Sequence, residues 1–264
     1  MKIRFLGTGT STGVPQMGCS CKVCTSSDRR DKRFRASVLI EIEEKHILID
    51  CGPDFRMQML DALKTDSFDN LEAVLLTHEH YDHVGGLDDL RGFCKTGAVE
   101  VYAEEYVANA IRQRIPYVFA ENKYPGVPNL NLNIIDLNLF SISGIDILPI
   151  RLMHGRLPVL GYRIGNFAYL TDLKTIPEEE YQKLMGLDIL VINALRAEEH
   201  ISHQTLESAL KNIERIKPQT AYLTHMSHDF GLHAEMEKKM PDNVFIAFDG
   251  LEIIKTSLEN KRKI

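Results

Sequence analysis

Thr77-His78-Glu79-His80-Tyr81-Asp82-His83-Val84-Gly85-Gly86 concentrates more metal-binding side chains in one short run than any other part of the chain. It follows Leu71-Glu72-Ala73-Val74-Leu75-Leu76, an apolar run of strand length, so its ligands fall where a buried strand gives way to a loop. Open α/β sheets keep their chemistry at such strand ends. His78 and His80, two residues apart, leave extended backbone on one side, whereas Asp82 and His83 must point elsewhere. A single zinc ion is satisfied by about four ligands. His78, His80, Asp82 and His83 already fill one site, and any further ligands from a distance imply a second. The helical H-E-x-x-H zinc motif is absent because Glu79 is followed directly by His80. The competing reading is a His-rich surface turn that titrates near neutral pH.

Working outward, three more candidate ligands stand at the ends of expected strands. Ile145 to Met153 leads to His154, Phe167 to Leu170 leads to Thr171-Asp172, and Ala221 to Leu223 leads to Thr224-His225. A further strand is expected at Ile189 to Ile192, and helices at Pro53 to Leu63, Glu104 to Arg114 and Thr205 to Ile216. Phe55, Met59, Leu60 and Leu63 have the spacing of a core-facing helix stripe. Leu87 to Cys94 reads as the start of another helix, and Pro177-Glu178-Glu179-Glu180 as an acidic first turn opened by proline. Lys2 to Gly7 opens the chain as a strand that runs into the glycine-rich loop Thr8 to Pro15, and Ala36 to Ile42 with Lys45 to Asp50 reads as a hairpin. Asp50 closes an apolar strand, where a carboxylate needs a partner. Orienting a metal-bound histidine would supply one. Residues 115–133, rich in Pro, Asn and aromatics, read as a loop over the cleft, with Tyr117, Phe119 and Tyr124 open to lining a pocket or packing the loop. The Lys-Arg-Lys run near the C-terminus reads as a solvated end.

Cys19-Ser20-Cys21-Lys22-Val23-Cys24 is the second informative stretch, since three thiolates at this spacing can close on one ion. His228 is the candidate fourth ligand of a closed, structural zinc site; a redox-active thiol trio is the alternative. Five cysteines in 264 residues are no disulfide framework, and Cys51 and Cys94 read as small buried residues. The charged run Asp28 to Arg35 reads as a solvated face, with Arg33 or Arg35 available to a substrate phosphate. A net charge of −6 argues against a broad nucleic-acid surface. With no signal-peptide pattern, no membrane-spanning run and no linker, the expectation is one cytoplasmic domain over residues 1–264 with no membrane partner.

The signature His78-x-His80-x-Asp82-His83 resembles that of the metallo-β-lactamase superfamily. That resemblance implies an α+β fold, the αββα four-layer sandwich. It also implies a sorting of ligands: His78, His80 and His154 on one ion, Asp82, His83 and His225 on the other, and Asp172 bridging. Two divalent ions about 3.5 to 4 Å apart lower the pKa of a shared water and stabilise the charge of an in-line displacement. Hydrolysis is therefore the expected reaction class, with manganese or zinc in the catalytic pair and zinc in the cysteine loop at about 18–26. Asp82 and His200 are the expected catalytic residues, His200 as the acid for a leaving alkoxide and His203 as its competitor.

Read together, Cys19, Cys21, Cys24, the signature and the His225-Met-Ser-His228 pair resemble the PhnP group of phosphodiesterases over nearly the whole chain, including Phe248 to Ile253. In that group a histidine matching His200 acts as the acid. The resemblance implies a small phosphate-ester substrate of the 5-phosphoribosyl 1,2-cyclic phosphate type and a homodimer. Three alternatives stand beside it. A transfer-RNA 3′-processing nuclease would need a basic arm that is not visible, a lactone or thioester hydrolase could use the same centre, and a carrier would resemble pyrroloquinoline quinone biosynthesis protein B.

Overall fold

The computed structural model describes residues 1–66, 68–95 and 97–255. In chain order the elements are β1 (Lys2–Gly7), β2 (Ser37–Ile42), β3 (Lys45–Ile49), α1 (Phe55–Ala62), β4 (Ala73–Leu75), α2 (Tyr81–Val84), β5 (Val99–Ala103), α3 (Glu105–Arg114) and β6 (Leu130–Ile134). The second half continues with β7 (Phe140–Ile142), β8 (Ile145–His154), β9 (Leu157–Ile164), β10 (Phe167–Leu170), β11 (Ile189–Asn193), α4 (Leu206–Ile216), β12 (Thr220–Thr224), α5 (His233–Glu237), β13 (Val244–Ile246) and β14 (Glu252–Ile254).

Two seven-stranded sheets result, ordered β14-β1-β2-β3-β4-β5-β6 and β13-β12-β11-β10-β9-β8-β7. Each is antiparallel along one half and parallel along the other. Period-two alternation decides which way each side chain faces. Ile47, Ile49, Ala73 and Leu75 meet Phe167, Tyr169, Ile189 and Val191 between the sheets. Leu48 and Val74 face outward with Phe55, Met59, Val107 and Ile111. Leu170, Leu190 and Ile192 do the same on the other side with Ala209, Ile213 and Ile216. Three apolar layers between helix, sheet, sheet and helix make the expected αββα sandwich.

Expectation and structure part in a few places. Leu60 and Leu63 are 46% and 38% exposed, so only Phe55 and Met59 of the α1 stripe reach the core. Leu87–Phe93 and Glu178–Leu184 are 3₁₀ rather than α-helical, and Pro177 stands just before the second of these rather than inside it. β5, β6, β7, β9, β13 and β14 were not expected; strands beside polar loops, most of these only three to five residues long, carry weak periodicity. In residues 115–133, Phe119 packs on the first helix layer, Tyr117 donates to Asp88 and Tyr124 is exposed. The Lys-Arg-Lys run lies outside the described residues. No described helix is long and apolar enough to cross a membrane.

The two sheets are tied at the end that matters. Leu160 N–H donates to the Thr77 carbonyl at 3.0 Å and Tyr162 Oη to the Leu76 carbonyl at 2.5 Å. Gly9, in the loop after β1, bridges Met226 after β12, with Thr10 N–H donating to Met226 O and Met226 N–H to Thr8 O. The end of β3 is laid against α2 through two glycines. A Cβ on Gly52 would stand 2.1 Å from the Asp82 carbonyl oxygen, and one on Gly86 the same distance from the Gly52 carbonyl oxygen. Gly52→Ala must therefore push α2 off the sheet. A loss of about 1–3 kcal/mol, the usual cost of overpacking, is expected by denaturant titration, together with weaker metal uptake.

Candidate metal centre

Asp50 and His225 each follow a strand directly, Asp172 stands one residue further on from β10, and each has left-handed backbone, with φ of 62°, 56° and 58° respectively. For residues other than glycine that conformation costs of order 1–3 kcal/mol and persists only where its surroundings hold it. Here it turns each side chain back across the strand ends toward α2. His78 follows β4, His154 ends β8, and Asp82 and His83 ride on α2.

These turns bring the candidate ligands together in two groups that share a residue. His78, His80, His154 and Asp172 offer ligand atoms all within 4.8 Å of one another, and so do Asp82, His83, Asp172 and His225. Asp172 faces both groups. Its Oδ2 is 3.7 Å from His78 Nε2, while Oδ1 is 3.0 Å from His225 Nε2 and 3.3 Å from His83 Nε2. Asp82 Oδ2 lies 3.2 Å from His83 Nε2 and 3.7 Å from His225 Nε2.

The hydrogen bonds behind the ring set which nitrogen faces inward. Asp50 accepts from Thr77 N–H at 2.9 Å and from the Thr77 hydroxyl, and its Oδ2 accepts from His83 Nδ1 at 2.7 Å. With its proton on Asp50, the Thr77 hydroxyl accepts from His78 Nδ1 at 2.9 Å. His154 Nδ1 donates to the Ser202 carbonyl at 2.9 Å. His78, His83 and His154 are thus fixed with Nε2 as the free lone pair, as metal ligation requires. The Nε2 atoms of His83 and His225 are buried and face only the Asp172 and Asp82 carboxylates, without hydrogen-bond geometry to either. Orphaned buried nitrogens cost free energy, and a divalent ion would satisfy them.

The charges fit the same conclusion. Burial pulls His83 and His225 down, but the carboxylates beside them, Asp172 foremost, outweigh it and hold His83 well above the ordinary range and His225 at about 9. Burial opposes ionisation of Asp172, yet His225 and His83 keep it well below the usual carboxylate range. The carboxylates thus favour positive charge at the inward Nε2 atoms of His83 and His225, a place that divalent cations would take in exchange for any proton there.

Cys19, Cys21, Cys24 and His228 form a third group within the same 4.8 Å limit. His228 Nδ1 lies 3.3 Å from Cys19 Sγ and 3.4 Å from Cys21 Sγ. The Cys24 backbone N–H, followed by His228, pulls the Cys21 thiol down to about 6, while burial pushes Cys24 up to about 11. One thiol is thus poised to ionise and a second is kept protonated, an arrangement that a bound cation would resolve by deprotonating both.

The two acid candidates separate in space. The ring of His203 is 4.4 Å from that of His154 and 4.9 Å from that of His225, whereas His200 stands behind it at 5.1 Å. His200 Nδ1 accepts from the Ser202 and His203 amides at 3.3 Å. Sequence reasoning ranked His200 first because spacing within a loop does not tell which of two nearby side chains turns inward. Asn193 was missed: from the end of β11 it exchanges two hydrogen bonds with the Leu173 backbone and so fixes the turn after Asp172.

Residues 45–226 match the Beta-lactamase superfamily domain. The chain belongs to the metallo-β-lactamase superfamily. A crystal structure described as a new diphosphatase from the PhnP family is 36% identical, covers 96% of each chain and superposes with a TM-score of 0.88, which places this chain in that family. The chain carries, in this fold, three residue groups that could each hold a metal ion. It is also 50% identical over 257 residues to a protein named octanoyltransferase from Porphyromonas gingivalis, matching 96% of this chain but 51% of that one. This chain therefore spans about half the length of that relative. The zinc-bound PqqB from Methylobacterium extorquens, at 19% identity and a TM-score of 0.77, shares the fold.

Asp50→Asn should replace an acceptor for His83 Nδ1 with a group that can turn a donor toward it. Changes to a group that hydrogen-bonds a metal-ligating histidine from behind cost about 10–100-fold in metal affinity, to be read by competition with a chromogenic chelator. If the cysteine group holds an ion, Cys21→Ala should lower the melting midpoint by about 5–10 °C, equivalent to roughly 2–3 kcal/mol, and remove one equivalent of bound metal.

Proposed function

We propose that this protein hydrolyses a small cyclic phosphate diester of the 5-phosphoribosyl 1,2-cyclic phosphate type. His78, His80, His154 and Asp172 hold one divalent ion, manganese or zinc, and Asp82, His83, His225 and Asp172 hold the second. A structural zinc occupies Cys19, Cys21, Cys24 and His228. The observation that carries the reading is Asp172, whose two oxygens face separate sets of histidines across a buried seam. A bridging carboxylate suits a pair of cations rather than one.

When bound, the ion pair supplies an activated water at neutral pH and offsets the charge that builds on phosphorus. The chain's own residues do the rest. Asp172 and Asp82 fix the spacing of the two sets, and Asp50, Thr77 and the Ser202 carbonyl lock the histidine tautomers. His203 lies against both sets and carries the proton for the departing alkoxide; His200 accepts the His203 backbone N–H and holds the loop in place. Burial foremost, with His225, His154 and His200 acting in the same sense and Asp172 against them, pulls His203 down to about 3, and a phosphodiester anion arriving beside the ring acts in the opposite sense. His203→Ala should lower kcat by about 10² to 10⁴-fold with metal content unchanged, and His200→Ala should cost less. Equal kcat in wild type and His203→Ala would remove His203 from the proton transfer.

A second reading, thioester hydrolysis, is favoured by the 50% identity to half of a protein named octanoyltransferase. Turnover of the cyclic phosphate sugar and of an octanoyl thioester by the same manganese- or zinc-loaded protein separates the two. Selective opening of the phosphate ring is expected; cleavage of the thioester alone would reverse the assignment.

A further inference from the structure

Away from both groups of catalytic ligands, a cleft of about 740 Å³ lies between the loop after β1, the segment Arg29–Phe34, the outer face of α1 and the turn Phe248–Gly250. None of the residues in the metal-binding groups lines it. Its walls carry Arg4, Arg29, Arg30, Lys32, Arg33 and Lys64 against two carboxylates, Asp61 and Asp249.

Some of these cations are already matched. Arg4 pairs with Asp66 and Glu252, Arg30 with Asp28 and Glu237, and Lys64 with Asp61. Arg29, Lys32 and Arg33 have no carboxylate within 4.0 Å among the described residues. Arg33 is the telling one, because it is only 6% exposed. Its guanidinium donates to Thr8 Oγ1 at 2.8 Å, to the Ala247 carbonyl at 2.6 Å and to His233 Nδ1 at 3.3 Å, all neutral acceptors. The guanidinium fork has more N–H donors than these acceptors use. The nearest carboxylates, Asp249 and Asp31, favour its charge only through space, Asp249 from across the Thr8 hydroxyl, which donates to it at 2.7 Å. A buried cation with no carboxylate in direct contact remains costly.

The other half of the cleft is apolar. Phe34, Met57 and Leu60 line it and remain 37%, 52% and 46% exposed. Cations with no directly paired carboxylate beside exposed apolar side chains match an amphipathic anion. We propose that this cleft binds a small organic anion, a phosphate or carboxylate head joined to an apolar body, at a site separate from the metal centre. The head lies against Arg33, Arg29 and Lys32, and the body covers Met57 and Leu60.

Methionine methyl groups place the test at the right end of the molecule. Metal-loaded protein labelled with ¹³C at the methionine methyls is titrated with hexyl phosphate, with Met57→Leu assigning the cleft resonance. Met226, buried next to His225, reports on the metal centre. The Met57 signal should move saturably, and inorganic phosphate should act at least about tenfold more weakly because it has no body to bury. The double variant Arg29→Glu/Lys32→Glu changes side chains that are at least partly exposed, so it should keep the fold while weakening the hexyl phosphate response at least about tenfold. Movement of Met226 with Met57 still would overturn the proposal, as would a Met57 response that charge reversal leaves unchanged. Equal potency of inorganic phosphate would overturn the apolar half of it.

Discussion

Everything at this site follows from burying negative charge where two sheets meet. Asp50 and Asp172 are 0% and 2% exposed, and Asp82 only 8%. Carboxylates so far from water need partners of opposite charge. The chain supplies imidazoles from both halves: His78 and His83 from the first sheet's side, His154 and His225 from the second's. The centre is therefore also a tie between the halves. That tie explains why strained left-handed residues are retained at three strand ends. A more relaxed backbone would aim those side chains elsewhere.

The cysteine group reinforces the same junction from one side. His228 lies three residues beyond His225, and Met226 between them bridges Gly9 in the loop that leads to Cys19. Closing the thiolates on His228 would pin both the loop after β1 and the end of β12. A structural ion there would thus steady a catalytic ligand without touching substrate. The cysteine group and the two groups that share Asp172 are best viewed as one mechanical unit, with unequal exposure: the ligands around Asp172 are mostly buried, whereas Cys19, Cys21 and His228 are partly open.

Much of this was legible in the sequence because metal chemistry constrains residue type and backbone place together. His78, His80, Asp82 and His83 announce themselves by spacing, and His154, Asp172 and His225 by standing after apolar runs. Those runs are buried strands, so their periodicity was strong. What could not be read were features set by tertiary packing. Leu60 and Leu63 have core spacing but lie on the face of α1 that the first sheet does not cover. His200 and His203 share a loop, and only the fold turns one of them inward. Arg33 sits in a run that reads as solvated, yet Thr8, Ala247 and His233 enclose it from three separate segments.

The central claim is that this chain builds a pair of ion sites around Asp172 and a third around the cysteines. Elemental analysis of purified, metal-saturated protein by plasma mass spectrometry tests it most directly. About three ions per chain are expected from the donor sets, falling to about one, zinc, in Asp172→Asn. A single ion per chain that Asp172→Asn leaves in place would contradict the account.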